Sequence, residues 1–383
     1  TVLIEKGIIK NVGNNISIPP DAFVIDAKGK TVLPGLFDMH AHFEQAEWGP
    51  AYLAAGVTTV RDCGNEFDYI NAVKNAIDNG SGIGPHILKA GIIDGKGPYA
   101  LGIVQADTKE EAIAEVDRYK QNGFVQIKIY SSAKPGIVKA ICEEAHKQGL
   151  TVTGHIPEGM NLMQGVDSGM DMVNHIQYVY SVLKRDKKDF SVNFDDSANG
   201  AVINFIKSHN IVIDPTLGVF ELALRSLNDS ITDIEPNFKT LPAPLQVIFK
   251  NTGLPQAQYN AYGKKVLDVF KLTFKKLYDA GVPMVAGTDM GFPGYSVGRE
   301  LELYVDCGIT PMQAIQLATI SPARIMKIDN DFASIEPGKK ADVIIVNGNP
   351  LQTIRDIRNV DVVIKDGNVY DPRQLHVIAG FQQ

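Results

Sequence analysis

The rhythm of apolar positions along this chain changes twice. Residues 1–33 alternate short apolar runs with turn residues: Val2-Leu3-Ile4 precedes Glu5-Lys6-Gly7, Ile8-Ile9 resumes, and Gly13-Asn14-Asn15 interrupts again. Short apolar runs bounded by Gly and Asn predict strands and turns. The C-terminal stretch has the same pattern. Residues 341–346 read as a strand, Asn347-Gly348-Asn349-Pro350 as a turn and residues 360–364 as another strand, and Asp366-Gly367 is a hairpin signal before Asn368-Val369-Tyr370. Two β-rich ends predict that the termini meet in one small β-sandwich, residues 1–33 with 333–383.

Between them, over 34–332, apolar runs alternate with helical patterns. The runs fall at 36–42, 57–62, 86–92, 124–130, 150–155, 172–175, 211–214 and 282–289. Helical patterns such as 109–122 and 137–148 each end at a glycine, Gly123 and Gly149, as a helix C-terminus should. Strand–helix alternation predicts βα units and a parallel sheet. Eight strands are the number that closes a barrel. The expected fold is therefore α/β, a (β/α)8 TIM-type barrel carrying a small β-sandwich. Residues 181–263 are too long for one connection and hold polar stretches at 184–189 and 228–236, which predicts extra helices around the barrel mouth.

Composition changes this picture little. A chain of 383 residues suits one large domain plus a smaller one. A net charge of −7, with no basic cluster, argues against nucleic acid or an anionic membrane as the main partner. No apolar run reaches the ~18 residues that span a bilayer. The expected partner is a small-molecule substrate, and the long insertion could supply a homo-oligomer interface. Cys63, Cys142 and Cys307 are widely spaced and odd in number, which suits a reducing compartment such as the cytoplasm. The chain starts at Thr1 within a predicted strand, so a removed segment upstream is expected and a cleaved signal peptide stays open.

The chemistry lies at the strand ends. His40 and His42 are two residues apart, so on a strand they point to the same side. Lys128 ends the fourth predicted strand, His155 the fifth, His175 the sixth and Asp289 the eighth. In a (β/α)8 barrel these ends open on one face, where active sites are built. Each residue has a plainer reading alone: His155 and His175 as packed, hydrogen-bonded histidines, Asp289 as a helix cap. Their convergence on one rim favours a shared purpose. His86, His146, His209 and His376 do not fit the rim and read as structural or surface residues. Tyr130, two residues past Lys128, is either an oxyanion donor or a packing aromatic. Arg61-Asp62 and Arg299-Glu300 are either internal ion pairs or substrate contacts, and the Gly-rich stretch 291–298 reads as a mobile loop edging the mouth.

Leu33-Pro34-Gly35-Leu36-Phe37-Asp38-Met39-His40-Ala41-His42 resembles the opening signature of the amidohydrolase superfamily. Gly154-His155, Asn174-His175 and Gly287-Thr288-Asp289 resemble its later metal motifs, in the same order. Residues 318–323 and Gly338-Lys339-Lys340-Ala341-Asp342 resemble its return to the β-sandwich. The resemblance spans essentially the whole chain and points to the imidazolonepropionase-like and prolidase-like branch, which includes dipeptidases and carboxypeptidases. It implies that His40, His42 and Asp289 hold an inner metal, that His155 and His175 hold an outer one, and that Lys128, carboxylated to N6-carboxylysine, bridges them. The plainer reading of Lys128 is a pair with a carboxylate. Zinc is the default for such ligands. Two ions ~3.5–4 Å apart would share a hydroxide, with Asp289 moving protons as general base and acid.

The expected reaction is hydrolysis of an amide C–N bond in a dipeptide or N-acyl amino acid. A mononuclear cyclic-amide hydrolase or a deaminase is the alternative. His155-Ile156-Pro157-Glu158 has a spacing some deaminases use, but Pro157 occupies the turn and Lys128 would lack a purpose. A catalytically silent scaffold is the third reading, against which the intact ligand set stands.

Overall fold

The computed structural model describes residues 1–97 and 100–382. Its strands are β1 Val2–Glu5, β2 Ile8–Val12, β3 Lys30–Pro34, β4 Leu36–Ala41, β5 Val57–Asp62, β6 His86–Ile93, β7 Gln126–Ile129, β8 Thr151–Gly154, β9 Met172–Asn174, β10 Val212–Asp214, β11 Val343–Asn347, β12 Val360–Lys365 and β13 Asn368–Tyr370.

β4 to β8 form one curled sheet in sequence order, every pair parallel. β4, β5 and β7 are buried at every position, as parallel strands covered on both faces must be. The helices between them follow from sequence. Thr108 and Glu111 build a capping box at the start of Lys109–Gln121, whose Ala112, Val116 and Tyr119 are buried on one face. Pro135 opens Pro135–Lys147, and Ile137, Val138, Ile141, Cys142 and Ala145 are its buried stripe.

β9 and β10 pair in parallel as a separate two-stranded piece, tied to β8 by Asp171 N donating to Val152 O at 2.9 Å. The predicted eighth strand, 282–289, departs from expectation. Among the described residues it forms a single bridge, Met284 to Ile213, with no ladder. It still runs between β10 and β4. Ile213 N donates to Pro283 O at 2.9 Å, Met39 N to Ala286 O at 2.9 Å and Asp289 N to His40 O at 2.8 Å. Pro283 has no N–H to give, and Asp289 turns into the left-handed region at φ 45°, so regular pairing fails at both ends.

Two further expectations are corrected. The segment 181–263 contains the helix Ser197–Ser208, β10 and the helix Leu217–Leu224 of the regular alternation, so the added part begins only after Leu224. The stretch 291–298 is not all loop: the helix Tyr295–Asp306 starts within it, and Ser296, Val297 and Gly298 are buried there.

Both ends of the chain form sheet together. β3 joins β11, β12 and β13 in one antiparallel sheet ordered β13-β12-β11-β3, and β1 pairs with β2. Along β11 the side chains alternate. Val343 packs with Ile9, Ala341 and Ile364, while Ile344 and Val346 belong to the main core.

Candidate active site

His40 lies in β4, His42 one residue beyond it, Lys128 in β7, His155 directly after β8 and His175 directly after β9. Their side chains meet. Asp289 is central: its Oδ1 is 3.6 Å from His40 Nε2 and 3.4 Å from His42 Nε2, and its Oδ2 is 3.6 Å from His175 Nε2. His155 Nε2 lies 2.9 Å from His175 Nε2, and Lys128 Nζ lies 3.4 Å from His40 Nε2. All six sequence-selected ligand candidates therefore occupy one cluster. Tyr130 stands at its edge, half-buried, with its ring 4.3 Å from that of His155.

The opposite nitrogen of each ring is held. His40 Nδ1 is 2.9 Å from Asp214 Oδ2, His42 Nδ1 3.1 Å from Gly64 O, His155 Nδ1 2.6 Å from Ser131 Oγ and His175 Nδ1 2.8 Å from Thr216 Oγ1. The Asp214 carboxylate and the Gly64 carbonyl accept from Nδ1 of His40 and His42 and leave their Nε2 lone pairs aimed at the centre, whereas the Ser131 and Thr216 hydroxyls, which can donate or accept, hold the His155 and His175 rings in orientation. Burial pushes His40 and His155 well below the ordinary histidine range, with Lys128 adding to the effect. Burial likewise takes His175 down to about 4, although Asp289 opposes it. Three of the four rings are thus neutral, the form that ligates metal. Burial also lowers the Lys128 amine, which is fully enclosed and donates to Asn174 Oδ1 at 2.9 Å. Burial raises Asp289, but His42, His175 and Lys128 outweigh it and hold the carboxyl below its ordinary value.

The backbone is bent to make this cluster. His175, Thr216 and Asp289 all have left-handed φ, at 72°, 48° and 45°. Each costs ~1–3 kcal/mol and persists only where the surroundings impose it, commonly at functional sites. Two glycines make room. A Cβ on Gly154 would collide with the Ile129 backbone, and one on Gly287 would meet His40 Cβ at 2.7 Å and His40 N at 2.8 Å.

Several residues of the site were not selected from the sequence. Asp214 accepts from Arg61 Nη2 at 3.1 Å and from Asn174 Nδ2 at 2.8 Å besides facing His40. Burial pushes its carboxyl up to about 7, against the pull of Arg61 and Lys128. Its signal was present, an acid ending the seventh predicted strand. Arg61 thus pairs with Asp214, not with its neighbour Asp62. Ser131 and Thr216 carry no comparable signal, because hydroxyls are frequent in turns.

The amidohydrolase family pattern matches residues 31–370. The chain belongs to the amidohydrolase family. It is 24% identical to a dihydroorotase of Caldanaerobacter subterraneus subsp. tengcongensis, over 92% of this chain and 85% of that one. It is 22% identical to an imidazolonepropionase of Alkaliphilus oremlandii, over 94% and 86%. Among solved structures it is similar to a Xaa-Pro dipeptidase with bound methionine in the active site, at 25% identity and a TM-score of 0.71, covering 97% of this chain and 94% of that one. This amidohydrolase is therefore a hydrolase of amide-type bonds on a TIM-barrel type fold. The family uses divalent metals, and the ligand atoms of His40, His175 and Asp289 lie within 4.8 Å of one another.

Other features of the amidohydrolase are not part of this cluster. His86 Nε2 lies 3.0 Å from Asp342 and 3.5 Å from Asp366, but Lys340 and Lys365 also bind Asp366 at 3.2 and 3.0 Å. Two ammonium groups there favour an ion-pair network over a cation site. A cavity of about 580 Å³, lined by residues such as Gln126, Thr151, Met172 and Arg324, opens at the starts of β7 to β10, away from the cluster. No helix among the described residues is long and apolar enough to cross a membrane.

Proposed function

We propose that the chain is a binuclear metal-dependent amidohydrolase that cleaves the amide C–N bond of a dipeptide or N-acyl amino acid. The observation that carries this reading is that the Nε2 atoms of His40, His42 and His175 converge on Asp289, with His155 Nε2 beside that of His175, while each Nδ1 is held by an oxygen. That donor set suits divalent zinc. His40, His42 and Asp289 would hold one ion, His155 and His175 the other, with Lys128 between them. Lys128 suits carboxylation: burial favours its neutral amine, which can add to CO2 and release a proton to give an anionic carbamate. When bound, two such ions lower the pKa of a water and polarise the substrate carbonyl.

The chain's own groups do the rest. Asp289 takes a proton from the attacking water; the water oxygen bonds to the carbonyl carbon, the C–N bond breaks, and Asp289 returns the proton to the leaving amine. Tyr130 donates its hydroxyl to the oxygen on which charge develops; burial raises its pKa, so it keeps that proton. Ser131 and Thr216 keep the His155 and His175 rings oriented.

The architecture assumed is an eight-membered ring of β4 to β10 with 282–289, and a small β unit of 1–33 with 333–383. Peptide substrates draw support from the Xaa-Pro dipeptidase likeness. The cyclic-amide alternative draws on the dihydroorotase and imidazolonepropionase relatives. The deaminase reading loses support because Glu158 is exposed to solvent.

The test is metal content and turnover after purification with bicarbonate. Two divalent ions per chain are expected, together with amino-acid release from a dipeptide and N-acyl amino acid panel. Lys128→Ala should lower the metal count and abolish turnover, and unchanged values would remove the carbamate. Turnover of lactams or cyclic ureides alone would establish the alternative.

A further inference from the structure

One buried acid has no role in the chemistry above. Glu300, in the helix Tyr295–Asp306, is fully enclosed. Its Oε1 accepts from Leu217 N at 2.7 Å and its Oε2 from Gly218 N at 2.6 Å. These are the first two N–H groups of the helix Leu217–Leu224, which lack partners within the helix. The residue before them is Thr216, whose hydroxyl meets His175 Nδ1.

We infer that Glu300 is a positioning residue for the metal centre, fixing the start of Leu217–Leu224 so that Thr216 holds the His175 ring toward its metal. The inference rests on the metal-centre reading above.

Three observations support it. Thr216 is β-branched and sits at φ 48°, ψ 50°, a conformation such residues avoid unless their surroundings impose it. A two-pronged carboxylate on the next two N–H groups is such an imposition. Secondly, the adjacent cation does not serve Glu300: Arg299 binds both oxygens of Glu221 at 2.7 Å and Glu302 at 2.8 Å. Glu300 faces the backbone instead, at the positive end of the helix dipole. Thirdly, burial pushes its pKa up to about 8 against the pull of the two N–H bonds. That is a costly place for an acid whose only task is packing. Glutamine at 300 would keep one acceptor and turn an NH2 toward a backbone N–H, releasing one prong.

The test is Zn²⁺ titration of the metal-free protein by calorimetry, with Co²⁺ absorption spectra and thermal melts, on wild type, Glu300→Gln, Thr216→Val, Thr216→Ser and the Glu300→Gln/Thr216→Val double variant. Loss of a group that orients a ligating histidine typically weakens metal binding ~10–100-fold. Thr216→Val should weaken zinc binding at the site that includes His175 by about that factor, Glu300→Gln should follow in the same direction, and Thr216→Ser should restore near-native binding. Because Glu300 acts through Thr216, the double variant should bind no worse than the weaker single one. Unchanged zinc affinity in Glu300→Gln, or additive losses in the double variant, would overturn the inference. If Glu300→Gln does not fold, equal affinity in Thr216→Val and wild type overturns it instead. Wild type that binds no zinc would overturn the metal centre itself.

Discussion

At the scale of single residues, the site works by division of labour between the two nitrogens of each ring. Nε2 faces Asp289 in His40, His42 and His175 and faces His175 in His155, while each Nδ1 faces a supporting oxygen. Asp214 supports His40 and also balances Arg61, which is wholly buried. Asp214→Asn should therefore do two things. It should weaken metal binding ~10–100-fold through His40, and destabilise the metal-free protein by ~3–5 kcal/mol by leaving Arg61 without its counter-charge. Metal titration and urea unfolding measure the two separately. Asp289→Asn removes the proton acceptor while keeping an oxygen, so kcat should fall by ~10²–10⁴, with the loss in single-turnover rate exceeding the loss in metal content. At this scale the sequence was informative about ligand candidates, because strand ends with His or Asp are rare and patterned. It was uninformative about supporting hydroxyls such as Thr216, whose role depends on a ring brought from 41 positions away in sequence.

At the scale of elements, apolar periodicity located the strands within a few residues. It missed the irregularity of 282–289, since a run reading Val282-Pro283-Met284-Val285-Ala286 is apolar whether or not it pairs. What fixes this segment is proximity to β4 and β10. Gly287→Ala should push it off His40, costing ~1–3 kcal/mol as overpacking does and lowering metal content more than the melting temperature. Metal analysis beside a thermal melt checks this. Lys89 in β6 gives an independent handle on stability. It is buried, donates to Asn122 O at 2.8 Å and lies 4.4 Å from the Phe124 ring centre. Burial lowers its pKa to about 8 from 10.5. The folded state then prefers the neutral amine more than the unfolded chain does. This contribution is fully present above pH 10.5 and is lost as pH falls through about 8. Between those values stability should rise with pH on this account. Lys89→Met should flatten the rise, and parallel slopes in melts across that range would contradict it.

At the scale of the whole molecule, two features join the terminal sheet to the parallel sheet. β11 shows one face to each core. A chain of ion pairs, Glu221–Arg299–Glu302–Arg358–Glu235, runs at 2.6–2.8 Å from the helix Leu217–Leu224 through Tyr295–Asp306 to Arg358, just before β12, and on to Glu235 in the added segment. Ile344→Ala should cost ~2–5 kcal/mol and shift one cooperative transition, read by calorimetry; a separate early transition would show that the two sheets unfold independently.

The sequence by itself determined the periodicity of the elements, the return of both ends to β structure and which residue types stand at the strand ends. These are local properties, set by alternation, caps and turn residues within a few positions. Only the tertiary structure decided that three Nε2 atoms meet around one carboxylate with a fourth beside them, that Asp214 rather than Asp62 answers Arg61, and that Glu300 reaches the helix that follows Thr216. Those outcomes depend on how distant strands curl past one another. Close packing fixes such distances to tenths of an ångström, and no local pattern in the chain records them.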